Sequence, residues 1–151
     1  MIAWLPFVVA AMLQTAGPAG APPAGTKADM KTDLQTLEKG ADSATDAARQ
    51  VTARTEAEWT KVWRAHSFER ALPKVDFTRD MVVGVFLGSR PTAGFSVDIV
   101  EAKVENGVLV VRYRETKPGR DRMTAQILTA PYHLVTIPRF NGDVKFEAIE
   151  K

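Results

Sequence analysis

The chain has 151 residues, 45% hydrophobic and 25% charged, and its twenty Lys and Arg against eighteen Asp and Glu leave a net charge of +2. That is the size and balance of one globular domain with a packed core, which excludes a disordered chain and leaves no field strong enough to argue for nucleic acid. The absence of Cys excludes disulfides, thiol nucleophiles, iron–sulfur clusters and cysteine zinc sites, and with only His66 and His133 a metal would need a carboxylate-rich site.

All 38 charges lie from Lys27 onward, and the block before them opens with the apolar run Ile2 to Leu13. Twelve residues fall short of the roughly 20 that a spanning helix needs, and Gly-, Ala- and Pro-rich sequence follows. The run reads as a secretory signal peptide over 1–19, with small residues at Gly17 and Ala19, then a flexible linker over 20–31 and a single domain over 32–151. This predicts an exported protein in the periplasm, at the cell surface or outside the cell, with no stable membrane span.

Leu34 and Leu37 before Gly40, and then Ala47 to Ala53, fit either edge strands or a frayed helix. Thr55-Glu56-Ala57-Glu58 has the spacing of a capping box and starts a helix over about Glu56 to Ser67, on which Trp59, Val62, Trp63 and His66 share one face. Met81 to Leu87 is apolar on both alternating faces, the pattern of a central strand covered on both sides. Phe95, Val97 and Ile99 alternate with polar residues before the phase slips to Val100, Ala102 and Val104, which marks a β-bulge. Asn106-Gly107 then supplies a type I′ turn into Val108 to Tyr113. After a loop at Lys117 to Asp121, strands are expected to begin at Thr124 to Leu128, to resume at Tyr132 to Ile137, and to follow at Val144 to Ile149. The sum is an α+β fold, a mostly antiparallel sheet of about five or six strands with one Trp-rich helix packed on it.

Few residues are spaced for chemistry. His66 closes the Trp face and is expected to pack its ring and satisfy a carbonyl; His133 has no nucleophile elbow near it, so a hydrolase is disfavoured and we expect no catalytic residue. Glu69, Asp76 and Asp80 fit no cation loop and are interleaved with Arg70, Lys74 and Arg79, so no metal and no cofactor are expected. Arg112, Arg114, Lys117, Arg120 and Arg122 face only Glu115 and Asp121 in their stretch; such a basic patch would suit an acidic partner or a membrane surface, but the alternation of Arg112 and Arg114 on an outward strand face more often means simple solvation. The most unusual segment is Gly88-Ser89-Arg90-Pro91-Thr92-Ala93-Gly94-Phe95. Pro91 fixes one φ angle and the flanking glycines allow unusual ones, so it predicts a rigid, protruding loop.

At that loop the sequence resembles a known family. Val75-Asp76-Phe77, Met81 to Gly88, Arg90 to Val97 and Thr129 to Pro138 are similar to the PrcB C-terminal family, and Glu58-Trp59 with Trp63-Arg64-Ala65-His66 fits its Trp-rich helix, a resemblance over about residues 55 to 138. The resemblance implies a noncatalytic accessory subunit that stabilises or assists a secreted protease, with a protein partner and no nucleic acid. Where the family commonly shows Thr-Gly-Gly-Tyr, this chain has Thr92-Ala93-Gly94-Phe95. Arg90, Pro91, Thr92, Gly94, Phe95, Tyr132 and His133 are the expected partner-binding residues. The same loop is also reminiscent of chagasin-type inhibitors of papain-like proteases, which makes protease inhibition the alternative.

Overall fold

The computed structural model describes residues 30–150; the expected signal peptide and most of the linker lie outside them. The described residues form β1 (Met30–Lys31), β2 (Gln35–Gly40), β3 (Arg49–Ala53), α1 (Glu56–His66), β4 (Asp80–Phe86), β5 (Ser96–Glu105), β6 (Val108–Thr116), β7 (Tyr132–Pro138) and β8 (Val144–Ala148). The strands make two four-stranded sheets, ordered β1-β5-β6-β8 and β2-β7-β4-β3. All pairings are antiparallel except β6 with β8, so the α+β class and the single helix hold among the described residues. The strands exceed the expected five or six because the stretches about Leu37 and Val51 form β2 and β3, the two edges of the second sheet, and because Met30–Lys31, expected as the end of the flexible linker, pairs with β5 as β1 at an edge of the first.

The helix forms as its sequence dictates. Thr55 is the N-cap and its hydroxyl accepts the Glu58 amide at 3.2 Å, while the Glu58 carboxylate reaches past the cap to the amide of Arg54 at 2.7 Å. Trp59 and Trp63 are buried against β4 and β7 in a core with Ala53, Val82, Phe86, Tyr132 and Leu134. Each indole N–H is satisfied, Trp59 by the Pro73 carbonyl at 2.9 Å and Trp63 by the Arg70 carbonyl at 3.0 Å.

The other face of the same sheet packs on the first one. Met81, Val83, Val85 and Leu87 point that way, onto Val97, Ile99, Ala102, Leu109 and Val111. Alternation along β4 therefore feeds one core beneath the helix and another between the sheets. This is the double coverage that the unbroken apolar run predicts, with the helix on one face of the second sheet and the first sheet on the other.

The β5–β6 hairpin turns at Asn106 and Gly107, with φ of 50° and 79°. The expected bulge is present, a register shift between Ile99 and Glu101 that leaves Val100 out of the ladder. One expected strand is absent. Thr124 to Leu128 forms no ladder, and its contacts to a neighbouring backbone are an Ala93–Ala125 hydrogen bond and the adjoining Arg90–Thr129 bridge. Its apolar side chains face outward instead of into either core.

Candidate functional site

The β4–β5 and β6–β7 connections leave the same end of the two sheets and are stitched together there. Arg90 and Thr129 exchange backbone hydrogen bonds at 2.7 and 3.0 Å, the Ala93 amide donates to the Ala125 carbonyl at 3.0 Å, and the Thr129 hydroxyl donates to the Thr92 carbonyl at 2.9 Å. The loop begins and ends on left-handed glycines, Gly88 at φ 75° and Gly94 at φ 93°. A Cβ on Gly88 would lie 2.6 Å from the Ala48 nitrogen, and one on Gly94 would lie 2.9 Å from the Cβ of Pro118. The loop is fixed by backbone, as its Gly-Pro-Gly punctuation predicts.

The expected partner-binding residues separate into groups. Pro91 and Gly94 are exposed, and Thr92 and Phe95 are half-buried. Arg90 turns inward: Nη1 donates to the Leu87 carbonyl at 2.8 Å, Nε donates to Glu115 at 3.0 Å, and the guanidinium lies 5.8 Å from the Phe95 ring centroid. Its side chain is a clamp on the loop. The Thr92 hydroxyl donates to the Ala93 carbonyl at 3.0 Å.

Tyr132 and His133 are 1% and 5% exposed, so neither offers a side chain to a partner. Tyr132 belongs to the core beneath the helix, where its hydroxyl accepts from Arg70 at 3.0 Å and burial pushes its pKa up to about 12. His133 faces the opposite way, toward the first sheet. Its Nδ1 accepts the Ile99 amide at 2.8 Å, which leaves the proton on Nε2, 2.9 Å from the Thr36 hydroxyl. A protonated Nε2 donates to that hydroxyl and cannot take its proton, so the Thr36–His133 pair is not a nucleophile and its base. Burial, and then the charge of Lys39, lower the His133 pKa and keep the ring neutral.

His66 stands in a more suggestive arrangement: Ser43 Oγ lies 2.8 Å from Nδ1 and Glu38 Oε2 lies 3.4 Å from Nε2. These are a hydroxyl and a carboxylate where a carbonyl is expected. The imidazole side chain has no exposed surface, its ring sits 4.1 Å from that of Tyr132 and 5.2 Å from that of Trp63, and burial lowers its pKa. Ser43 also accepts the Thr45 amide at 3.1 Å. The triplet ties β2 and the following loop to the end of the helix, and its ring is closed off from any substrate.

The basic stretch also changes character. Arg112 is bound by Glu101 at 2.9 Å, Glu105 at 2.8 Å and Glu147 at 3.1 Å, which its own stretch of sequence does not contain. Hydrogen bonds to Glu105 and Glu101 raise its pKa further. Arg114, Lys117, Arg120 and Arg122 remain without a salt bridge among the described residues, Arg114 within β6 and the other three at the loop end. Sequence reasoning misses the surface beside them: Met123, Ile127 and Leu128 are 103%, 57% and 81% exposed, and the last two fall in the stretch expected to form a strand.

The fold and this end of it define a two-sheet scaffold that presents a preorganised pair of loops. Residues 81–138, which run from β4 through both loops to the end of β7, match the model of the PrcB C-terminal family. The match is narrower than the resemblance over 55 to 138 and does not include α1. No curated protein and no solved structure matches the chain. No helix among the described residues is long and apolar enough to cross a membrane.

Proposed function

We propose that this chain is an exported, noncatalytic accessory protein that docks on a secreted protease or another envelope protein and stabilises it. The observation that carries this reading is the PrcB C-terminal match over 81–138, because the matched segment contains the complete loop pair and the strands that hold it. The family implies an accessory role and a protein partner; the apolar run Ile2 to Leu13, followed by small residues at Gly17 and Ala19, supports export. A rigid loop loses little entropy on docking, which suits a surface built for a protein.

The test is made in the native host. Removing the protein should lower the abundance and activity of a secreted protease, and restoring it should recover both; protease levels that do not respond would overturn the reading. Added to papain-like enzymes, the purified chain should leave turnover unchanged. Loss of turnover at stoichiometric ratios would instead establish the inhibitor that the Arg90 to Phe95 resemblance suggests.

A further inference from the structure

We propose that residues 119–128 are an apolar wedge that seats in a cleft of the protein partner, one with an apolar floor and an acidic rim. The inference rests on the accessory reading for the existence of a protein partner, and it assigns the contact to a segment outside the 88–95 loop.

Three observations carry it. Among the described residues six large hydrophobic side chains are exposed, and three of them, Met123, Ile127 and Leu128, fall within six consecutive positions. Isolated exposed hydrophobics are ordinary, but a cluster marks an interaction surface. The segment is also held in shape. Arg122 closes a turn onto the Gly119 carbonyl at 3.0 Å, Ala125 accepts from Ala93 at 3.0 Å, Thr129 pairs with Arg90, and Pro118 and Thr124 pack against Gly94. Its outward apolar side chains are therefore presented by a fixed backbone. Finally, Lys117, Arg120 and Arg122 adjoin the cluster without a salt bridge among the described residues, against one anion, Asp121. Within the same basic stretch Arg112, on β6, is instead bound by three carboxylates of the chain itself. Cations left unpaired around an apolar tip are matched by acidic groups around an apolar floor. A fixed shape favours a protein cleft over a lipid surface, which places no demand on shape.

The experiment uses the full chain in its native host with a photoreactive phenylalanine at position 127, and at the exposed helix position 61 as control, followed by sequencing of the cross-linked peptide. Position 127 should capture one protein through a peptide of apolar residues flanked by Asp or Glu, and position 61 should not. Affinity of the purified chain for that captured protein should fall by about tenfold or more in the Met123→Ser/Ile127→Ser/Leu128→Ser variant, with an unchanged melting curve. Affinity should also fall in Lys117→Glu/Arg120→Glu/Arg122→Glu and weaken with salt in the parent chain. Cross-linking at 127 to a second copy of the chain, to lipid or to nothing would overturn the wedge, as would full affinity in the Ser variant. Binding to vesicles of phosphatidylcholine with phosphatidylglycerol that is lost in the Ser variant would assign the tip to membranes and also overturn it. A captured partner that is not a protease would sink the protease role alone, whereas a protease stabilised equally by the parent and the Ser variant would sink the wedge alone.

Discussion

His133 on β7 accepts the backbone amide of Ile99 on β5, 34 residues earlier and in the other sheet, at 2.8 Å. Ile99 stands where the β5 register shifts, so the imidazole satisfies a backbone donor beside the bulge and joins the two sheets with a polar bond inside an apolar core.

That bond requires an unprotonated Nδ1, which makes the fold sensitive to acid. The His133 pKa is depressed in the folded state by burial and by Lys39, so between the folded value and the ordinary 6.5 the unfolded chain binds the extra proton. Stability is complete above 6.5 and is lost as pH falls through the folded value; His66, also depressed by burial, acts in the same direction. Denaturant midpoints should therefore fall from about pH 7 toward pH 5. In His133→Asn, whose side-chain oxygen can accept from Ile99, the pH dependence should be flatter. An equally steep profile would assign the sensitivity to His66.

Truncating either indole should be severe. Trp59→Ala and Trp63→Ala each remove a buried ring and strip a carbonyl, Pro73 or Arg70, of its donor, a loss of about 3–5 kcal/mol. Melting temperature measures it. An unchanged melting curve would contradict the packing of the helix on the second sheet.

The glycines of the loop should rank. Gly94→Ala imposes a positive φ on a side chain and presses it on Pro118, for a cost of about 1–3 kcal/mol. Gly88→Ala should cost more, because its new Cβ meets backbone atoms of Asp46 and Ala48 at 2.7 and 2.6 Å. Equilibrium unfolding of the two variants gives the order, and the reverse order would show that the β4 end yields more readily than the Pro118 loop.

Arg112 should act as a neutraliser. Arg112→Gln leaves Glu101, Glu105 and Glu147 facing one another, so the variant should melt below the parent in low salt and recover part of the difference in high salt. A deficit that salt does not change would point to lost packing of the side-chain stem rather than to charge.

What could be read from the sequence was local. The capping box, the Trp face, the Asn106-Gly107 turn and the bulge phase slip are each written within a dozen residues, and all four are present. What could not be read depends on partners far along the chain. The sequence alone reads His133 as a partner-binding residue because Ile99, the group it serves, is brought to it only by the packing of two sheets. Arg112 looked like part of a basic patch because Glu101, Glu105 and Glu147 reach it from β5 and β8. Thr124 to Leu128 looked like a strand because an exposed apolar loop and a buried strand share a composition; only the absence of a neighbouring ladder separates them.

No residue from 117 to 128 contributes a side chain to either apolar core. On the proposed reading, recognition and folding are carried largely by different atoms, joined through the backbone bonds at Arg90, Ala93 and Thr129. Selection can rewrite the tip residue by residue, changing which surface it suits, while the sheets beneath keep their full stability. The scaffold can accept a transplanted tip of the same length, provided that Gly88, Gly94 and the Arg90–Thr129 pair stay in place.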